Sequence, residues 1–386
     1  MIALASSFIA AAISLAFLLF RRRYQVYSTM RQYHCAPPRK HWAKDIFFGM
    51  DFTFEMHSNL SMMKRNHDRF GSTYQSESLF GDPVLNTIAP ENLPPIHSSG
   101  DKYGIQPVRL PGMEYFCGQG FLTTDGPVWL QARKRLKPSF AKQNISQLDF
   151  LGQETRKLLA KIPTDGTTID LQPALFVTVR CITCDLLILS ATKKSQFLHS
   201  SLHFLLGIDP SERDQAPYTA EQFVDSFHVA IYGTGLRIML GRFKGLAPKV
   251  AYVEACKRAH DYIEYYIKRA LEDPALENDS PSMHEPLSEQ SSMVKGLATQ
   301  TNDMNFIRNQ ILQGMLAAQE TISVLVSNTL FLLARHPEEW EQLRTEILKY
   351  SEDLFEFHSL SSFKPLQQIL NEGMFMCPLQ FYPCFY

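Results

Sequence analysis

The sequence predicts a mainly helical chain with a short extended stretch near its N-terminus, behind one membrane-spanning helix. Three observations carry this. Between Asn302 and Pro337, apolar residues recur at Ile307, Ile311, Met315, Ala318, Ile322, Val326, Leu330 and Leu333; steps of three and four are helical spacing. From Ile2 to Phe20 no residue is charged. Between Gly71 and Ile88, two short extended runs flank Gly81-Asp82, which reads as a hairpin.

The apolar N-terminal run is about 28 Å long as a helix, close to the thickness of a bilayer core. Arg21-Arg22-Arg23 follow it. Charge after the run fits a signal anchor with the remainder in the cytosol, whereas a cleaved leader carries its charge before the run. Arg39, Lys40 and Lys44 follow Pro37-Pro38, a basic and stiff link over residues 24–44. Next comes the hairpin, and then a short helix starting near Pro90.

The chain has 386 residues and a net charge of -1, and is 45% hydrophobic. This is the composition of a globular protein with a sizeable core, and nothing in it points to nucleic acid as a partner. The seven cysteines are odd in number and scattered, which argues against a disulfide framework. Cys181 and Cys184 form a lone CxxC in an apolar run, too few ligands for zinc, and read as buried thiols.

Thr123-Thr124-Asp125-Gly126 is a turn expected to cap a helix starting near Pro127. On that helix Trp129 and Arg133 are four residues apart and share a face. Arg133, Lys134, Arg135 and Lys137 make it basic. It reads either as a solvated basic helix or as an anion site, where an indole N–H and a guanidinium would suit a carboxylate. Helices are also expected over 145–162, 170–189, 219–232 and 250–271, with an exposed loop over 272–292.

The 302–337 segment is apolar on more than one face and is expected to be a core helix. Asn302 or Asp303 can cap its start, and His336-Pro337 stops it. Gln319-Glu320-Thr321 interrupts it just after Ala317-Ala318. That triplet is either a polar ridge or a functional site, because a buried carboxylate is costly unless paired or used. After Pro337 an amphipathic helix is expected to turn Trp340, Leu343, Ile347 and Leu348 inward.

Ala-Ala-Gln-Glu-Thr, followed by Leu-Ala-Arg-His-Pro-Glu-Glu-Trp, resembles the central helix of the cytochrome P-450 superfamily, the haem-thiolate monooxygenases. Asp-Gly-x-x-Trp-x-x-x-Arg-x-x-Leu-x-Pro-x-Phe closely resembles the same family's propionate-binding helix. Phrases such as Tyr232-Gly-Thr-Gly-Leu-Arg-Ile-Met-Leu-Gly are similar to the microsomal alkane- and fatty-acid-hydroxylating branch. The resemblance implies the family's fold, with a small β-rich lobe, and haem as cofactor. It implies that Trp129 and Arg133 hold a haem propionate. It further implies that Ala317 and Ala318 give room over the haem, and that Glu320 and Thr321 relay protons at the oxygen site. An NADPH-dependent reductase, an apolar substrate and the endoplasmic reticulum membrane are implied as partners and place.

The resemblance covers residues 45–372. Over 363–372 the sequence looks like the start of the family's Glu-x-x-Arg helix, but Phe375 stands at the arginine position. The family's Phe-x-x-Gly-x-Arg-x-Cys-x-Gly loop has no counterpart, and neither Cys377 nor Cys384 has its flanking residues. The fold is therefore expected to be incomplete, with no thiolate ligand for iron, and this chain inactive as it stands. The alternative is a non-catalytic, membrane-anchored helical interaction protein. Gly373-Met374-Phe375 can be encoded with an intron 5′ border, so residues 373–386 are expected to be translated intron.

Overall fold

The computed structural model describes residues 13–376 apart from 15–16, 18–19, 22–23, 36, 53–54, 56–58, 60, 80–82, 99–102, 142–147, 161, 169–203, 208–215, 273–291, 351–353 and 355. The expected helix over 170–189, with Cys181 and Cys184, lies outside the described residues. So do the loop over 273–291 and the tail from Cys377. Among the described residues, no helix is long and apolar enough to cross a membrane. Of the run read as an anchor, only Ile13, Ser14, Phe17 and Phe20 are described, and all four are exposed.

The chain forms two compact units, residues 1–98 and 99–386. The first holds a three-stranded sheet. Its strands are β1 (Arg39–Trp42), β2 (Thr73–Glu77) and β3 (Val84–Thr87). β2 and β3 pair antiparallel with Thr73 opposite Thr87, the hairpin expected from the sequence. β1 adds in parallel to β2, a pairing between residues far apart in sequence that no local pattern announces. Helix α1 (Ser61–Phe70) lies between β1 and β2 in the chain. Tyr74 is fully buried, its ring met by those of His41, His67 and Phe70. A 3₁₀ turn at Pro90–Asn92 leads into α2 (Leu93–Ser98).

The second unit is helical. Its elements are α3 (Gln106–Cys117), α4 (Gly126–Leu136), α5 (Asp149–Leu159), α6 (Ala220–Leu240), α7 (Val250–Leu271), α8 (Met293–Ala298), α9 (Met304–Arg335), α10 (Pro337–Lys349), α11 (Phe357–Ser362) and α12 (Lys364–Met376). α6 opens on a capping box at Thr219, whose hydroxyl accepts from Gln222 N while Gln222 Oε1 accepts from Thr219 N, so two end donors are satisfied reciprocally. It runs eight residues past its expected end. The core lies where α3, α6, α7, α8 and the first half of α9 meet. Phe227 packs edge-on against Phe116 and tilted against Phe223, whose ring stacks on Tyr262 at 4.4 Å.

Gly233, Thr234 and Arg237, from the segment similar to the alkane-hydroxylating branch, serve the crossing of α6 and α7. A Cβ at Gly233 would lie 2.3 Å from the Tyr252 ring. The Thr234 hydroxyl is 3.2 Å from the Tyr252 hydroxyl, and the Arg237 guanidinium sits 3.6 Å over the same ring.

Burial also sets protonation. It pushes the Cys256 thiol up to about 12 and raises Cys117 further. It lowers His228 to about 4 and lowers His260, whose Nε2–H donates to Phe116 O. A histidine held neutral in the fold gains protons on unfolding once the pH is below about 6.5. Its contribution is complete above that pH and is lost as pH falls toward 4. For His228 this is about 2 kcal/mol between pH 7 and pH 5. Urea midpoints at the two pH values should differ accordingly, and His228→Phe should flatten the dependence. An unchanged midpoint in the wild type counts against burial as the cause.

α9 begins as expected, with Asp303 Oδ1 accepting from Phe306 N at 3.1 Å. It ends at His336, where Pro337 opens α10. It is a core helix throughout its first half, whereas in its second half burial is partial, with Thr329 and Leu333 buried. Ile307, Ile311, Leu312 and Met315 are fully buried, whereas Ile322 is 46% and Phe331 56% exposed. The first half passes among α3, α7 and α8, while the described neighbours of the second half are α10 and α12. The inward face expected for α10 is corrected for the same reason. No residue of α10 is buried, and Trp340, Ile347 and Leu348 are exposed. α12 continues through Gly373 to Met376, and Gly373 approaches α9 so closely that a Cβ would lie 2.6 Å from Thr329 Oγ1.

Candidate cofactor site

The candidate residues lie on α4 and on the middle of α9, and the loop that precedes α4 is the part that touches α9. The loop, Gly118 to Thr124, is held mainly by two glutamines of α9, Gln310 and Gln313, both fully buried. Gln313 Oε1 accepts from Leu122 N at 2.8 Å. Its amide donates to Cys117 O at 2.8 Å, Gly118 O at 3.1 Å and Thr123 Oγ1 at 3.2 Å. Gln310 Oε1 accepts from Phe121 N at 3.3 Å. A buried loop would otherwise leave these backbone groups unpaired. The fit requires glycine. Gly118 has φ +54, and a Cβ there would meet the Asn309 amide at 2.3 Å, while one at Gly120 would meet the Gln313 amide at 2.6 Å. Thr124 closes the turn by donating to Gly120 O.

Asp125 departs from its expected role. It occupies the position before α4, yet its side chain makes no cap there. Its carboxylate instead accepts from Ile105 N and Gln106 N, at the start of α3. Gln106 Oε1 in turn accepts from Asp125 N. The turn therefore fixes the start of α4 to the start of α3. Asp125→Ala should cost about 1–2 kcal/mol, the range for losing such a cap. Thermal melting checks this, and a shift equal to that of Asp149→Ala on exposed α5 would count against it.

On α4 the structure brings Trp129 and Arg133 together, with the guanidinium 5.2 Å from the indole centroid. Trp129 is half-buried and Arg133 exposed, so the ring braces the guanidinium by a cation–π contact and leaves its charged fork open to an anion. On α9, Ala317 and Ala318 are half-buried. Thr321 is half-buried and its hydroxyl donates to Ala317 O at 2.9 Å. That back-bond within the helix leaves the Thr321 oxygen as an acceptor. The helical backbone runs through Glu320, whose side chain lies outside the described residues. Gln310 and Gln313 were not anticipated. Their only signal in the sequence is that they interrupt the apolar first half of α9.

The sequence profile of the family described as Cytochrome P450 matches residues 37–379. The chain belongs to the cytochrome P450 family. This P450 chain is similar to the cytochrome P450 monooxygenase himC of Aspergillus japonicus, 28% identical over 84% of this chain and 57% of that protein. It is also similar to cytochrome P450 52E2 of Candida apicola, 24% identical over 95% of this chain and 70% of that one. Its fold is similar to that of the cytochrome P450DA haem domain, with a TM-score of 0.61 and 15% identity over 88% of this chain and 70% of that one. The chain spans 57–65% of the length of three of the curated relatives it matches.

The family is one of haem-dependent monooxygenases, and haem is the cofactor expected here. The described residues fit a porphyrin in part. Trp129 and Arg133 suit an acidic edge, and the half-buried Ala317-Ala318 step suits a flat face. The described cysteines do not suit iron. Cys35 is exposed in the first unit, while Cys117 and Cys256 are buried core thiols held protonated. Cys377 and Cys384 lie outside the described residues.

Proposed function

We propose that this chain carries the propionate-binding and oxygen-side parts of a P450 monooxygenase that hydroxylates long apolar substrates such as fatty acids or alkanes. The observation that supports this most is the Trp129–Arg133 pair on a helix whose preceding loop is held to the central helix α9 by Gln310 and Gln313. Haem, when bound, supplies the oxygen activation. Arg133 and the Trp129 N–H would hold a propionate by charge-assisted hydrogen bonds. Ala317 and Ala318 leave room for the ring. The Thr321 hydroxyl, which donates to Ala317 O, would turn to donate its proton at the oxygen site and take another in return by way of Glu320 from solvent. Ile2–Phe20 anchors the chain once in the endoplasmic reticulum membrane, with the domain in the cytosol. An NADPH-dependent reductase supplies electrons at the basic face of Arg133, Lys134, Arg135 and Lys137.

A second reading, a membrane-anchored interaction protein without catalysis, draws on the exposed Ile322, Phe331, Trp340 and Leu348 and on the described cysteines. Reduced-plus-carbon-monoxide spectra of the expressed chain divide the two. A thiolate–carbon monoxide band supports the monooxygenase, and its absence with haem bound supports the second reading. Retention in the membrane after alkaline carbonate is expected in both; release of an N-terminally shortened soluble form would exclude the anchor.

A further inference from the structure

We infer that Gln310 and Gln313 are positioning residues that set where the anion-binding helix α4 stands relative to the Ala317–Thr321 segment of α9. The inference rests on the reading of Trp129 and Arg133 as a propionate site.

At about 100° per residue, Gln310, Gln313, Ala317 and Thr321 fall within a stripe about 80° wide on one side of α9. Gln313 and Ala317 are about 6 Å apart along the axis. One rigid helix therefore carries both the clamp on the loop before α4 and the small-residue step. The loop has few ways to shift. Gln313 touches it at Cys117, Gly118, Leu122 and Thr123. Gln310 touches it at Phe121, and Gly118 and Gly120 leave no space for a side chain against the amides of Asn309 and Gln313. Three residues after Thr123, α4 begins. A glutamine suits this place because it both donates and accepts through one planar group. Packing alone would be served by methionine, so the pattern of paired backbone groups marks the amide as the working part.

The test uses the full chain in detergent and compares wild type with Gln313→Met, which keeps length and volume but not the amide. Hydrogen exchange is followed at Phe121, Leu122 and along α4, with α7 as internal reference. Gln313→Met is expected to raise exchange at 121–136 at least tenfold while α7 is unchanged. Binding of haemin is compared with binding of haemin dimethyl ester, which lacks the free propionates. Wild type is expected to prefer haemin about tenfold, as a charge-assisted bond implies, and Gln313→Met is expected to lose that preference. Unchanged exchange along α4, or a preference kept in the variant, overturns the inference. If wild type shows no preference, the propionate reading fails instead, and the exchange data still decide whether the clamp positions α4.

Discussion

Phe227→Ala is expected to destabilise the helical unit by about 4 kcal/mol. Phe227 is fully buried at the centre of the aromatic chain Phe116–Phe227–Phe223–Tyr262. Truncating a buried phenylalanine to alanine costs about 3–5 kcal/mol, part transfer and part cavity. Its ring neighbours come from α3 and α6, with Tyr262 of α7 stacked behind Phe223, so no single side chain can swing in to fill the void. Urea unfolding of both forms measures the loss, with an unchanged slope showing that the native unit stays compact. A loss below about 1 kcal/mol, the range of surface substitutions and mild repacking, would mean that this stack is not the centre of the core.

Gly112→Ala is expected to cost about 3 kcal/mol. Gly112 lies in α3 against α6, and a Cβ there would sit 2.5 Å from Ile238 Cγ1, 2.9 Å from its N and 3.1 Å from its Cα. The side-chain atom could rotate away, but the backbone atoms can move only if the whole helix moves. Overpacking of this kind costs about 1–3 kcal/mol and occasionally more. The contact with backbone places this case at the upper end, even after the roughly 1 kcal/mol that alanine gains over glycine as a helix former. Gly71→Ala is a useful contrast, since a Cβ there meets nothing and only the positive φ is strained. A Gly112→Ala variant as stable as wild type would show that α3 and α6 can slide apart, and the loop fixed to the end of α3 would move with them.

The sequence is most legible where structure is set locally. The ends of α9 follow from the Asp303 cap and His336-Pro337, and the β2–β3 hairpin from its turn residues. The approach of Trp129 and Arg133 follows from a four-residue spacing on a helix. What is not legible depends on partners far away in the chain. Asp125 looks like a cap for α4 and in fact binds the start of α3, twenty residues before it. Gln310 and Gln313 look like polar breaks in an apolar helix until the loop about 190 residues away is laid against them. The apolar spacing of α10 and of the second half of α9 is real, but spacing says only which residues share a face. It does not say what lies against that face, and here Trp340, Leu348, Ile322 and Phe331 are exposed.

The proposal that α4 holds the acidic edge of haem rests on Trp129 and Arg133. It is tested most directly by titrating haemin into the full chain, followed by quenching of tryptophan emission, for wild type and Arg133→Leu. The account predicts saturable binding of a single haemin per chain, weakened about tenfold by the substitution. Equal affinity in the two proteins, or quenching that never saturates, would contradict it.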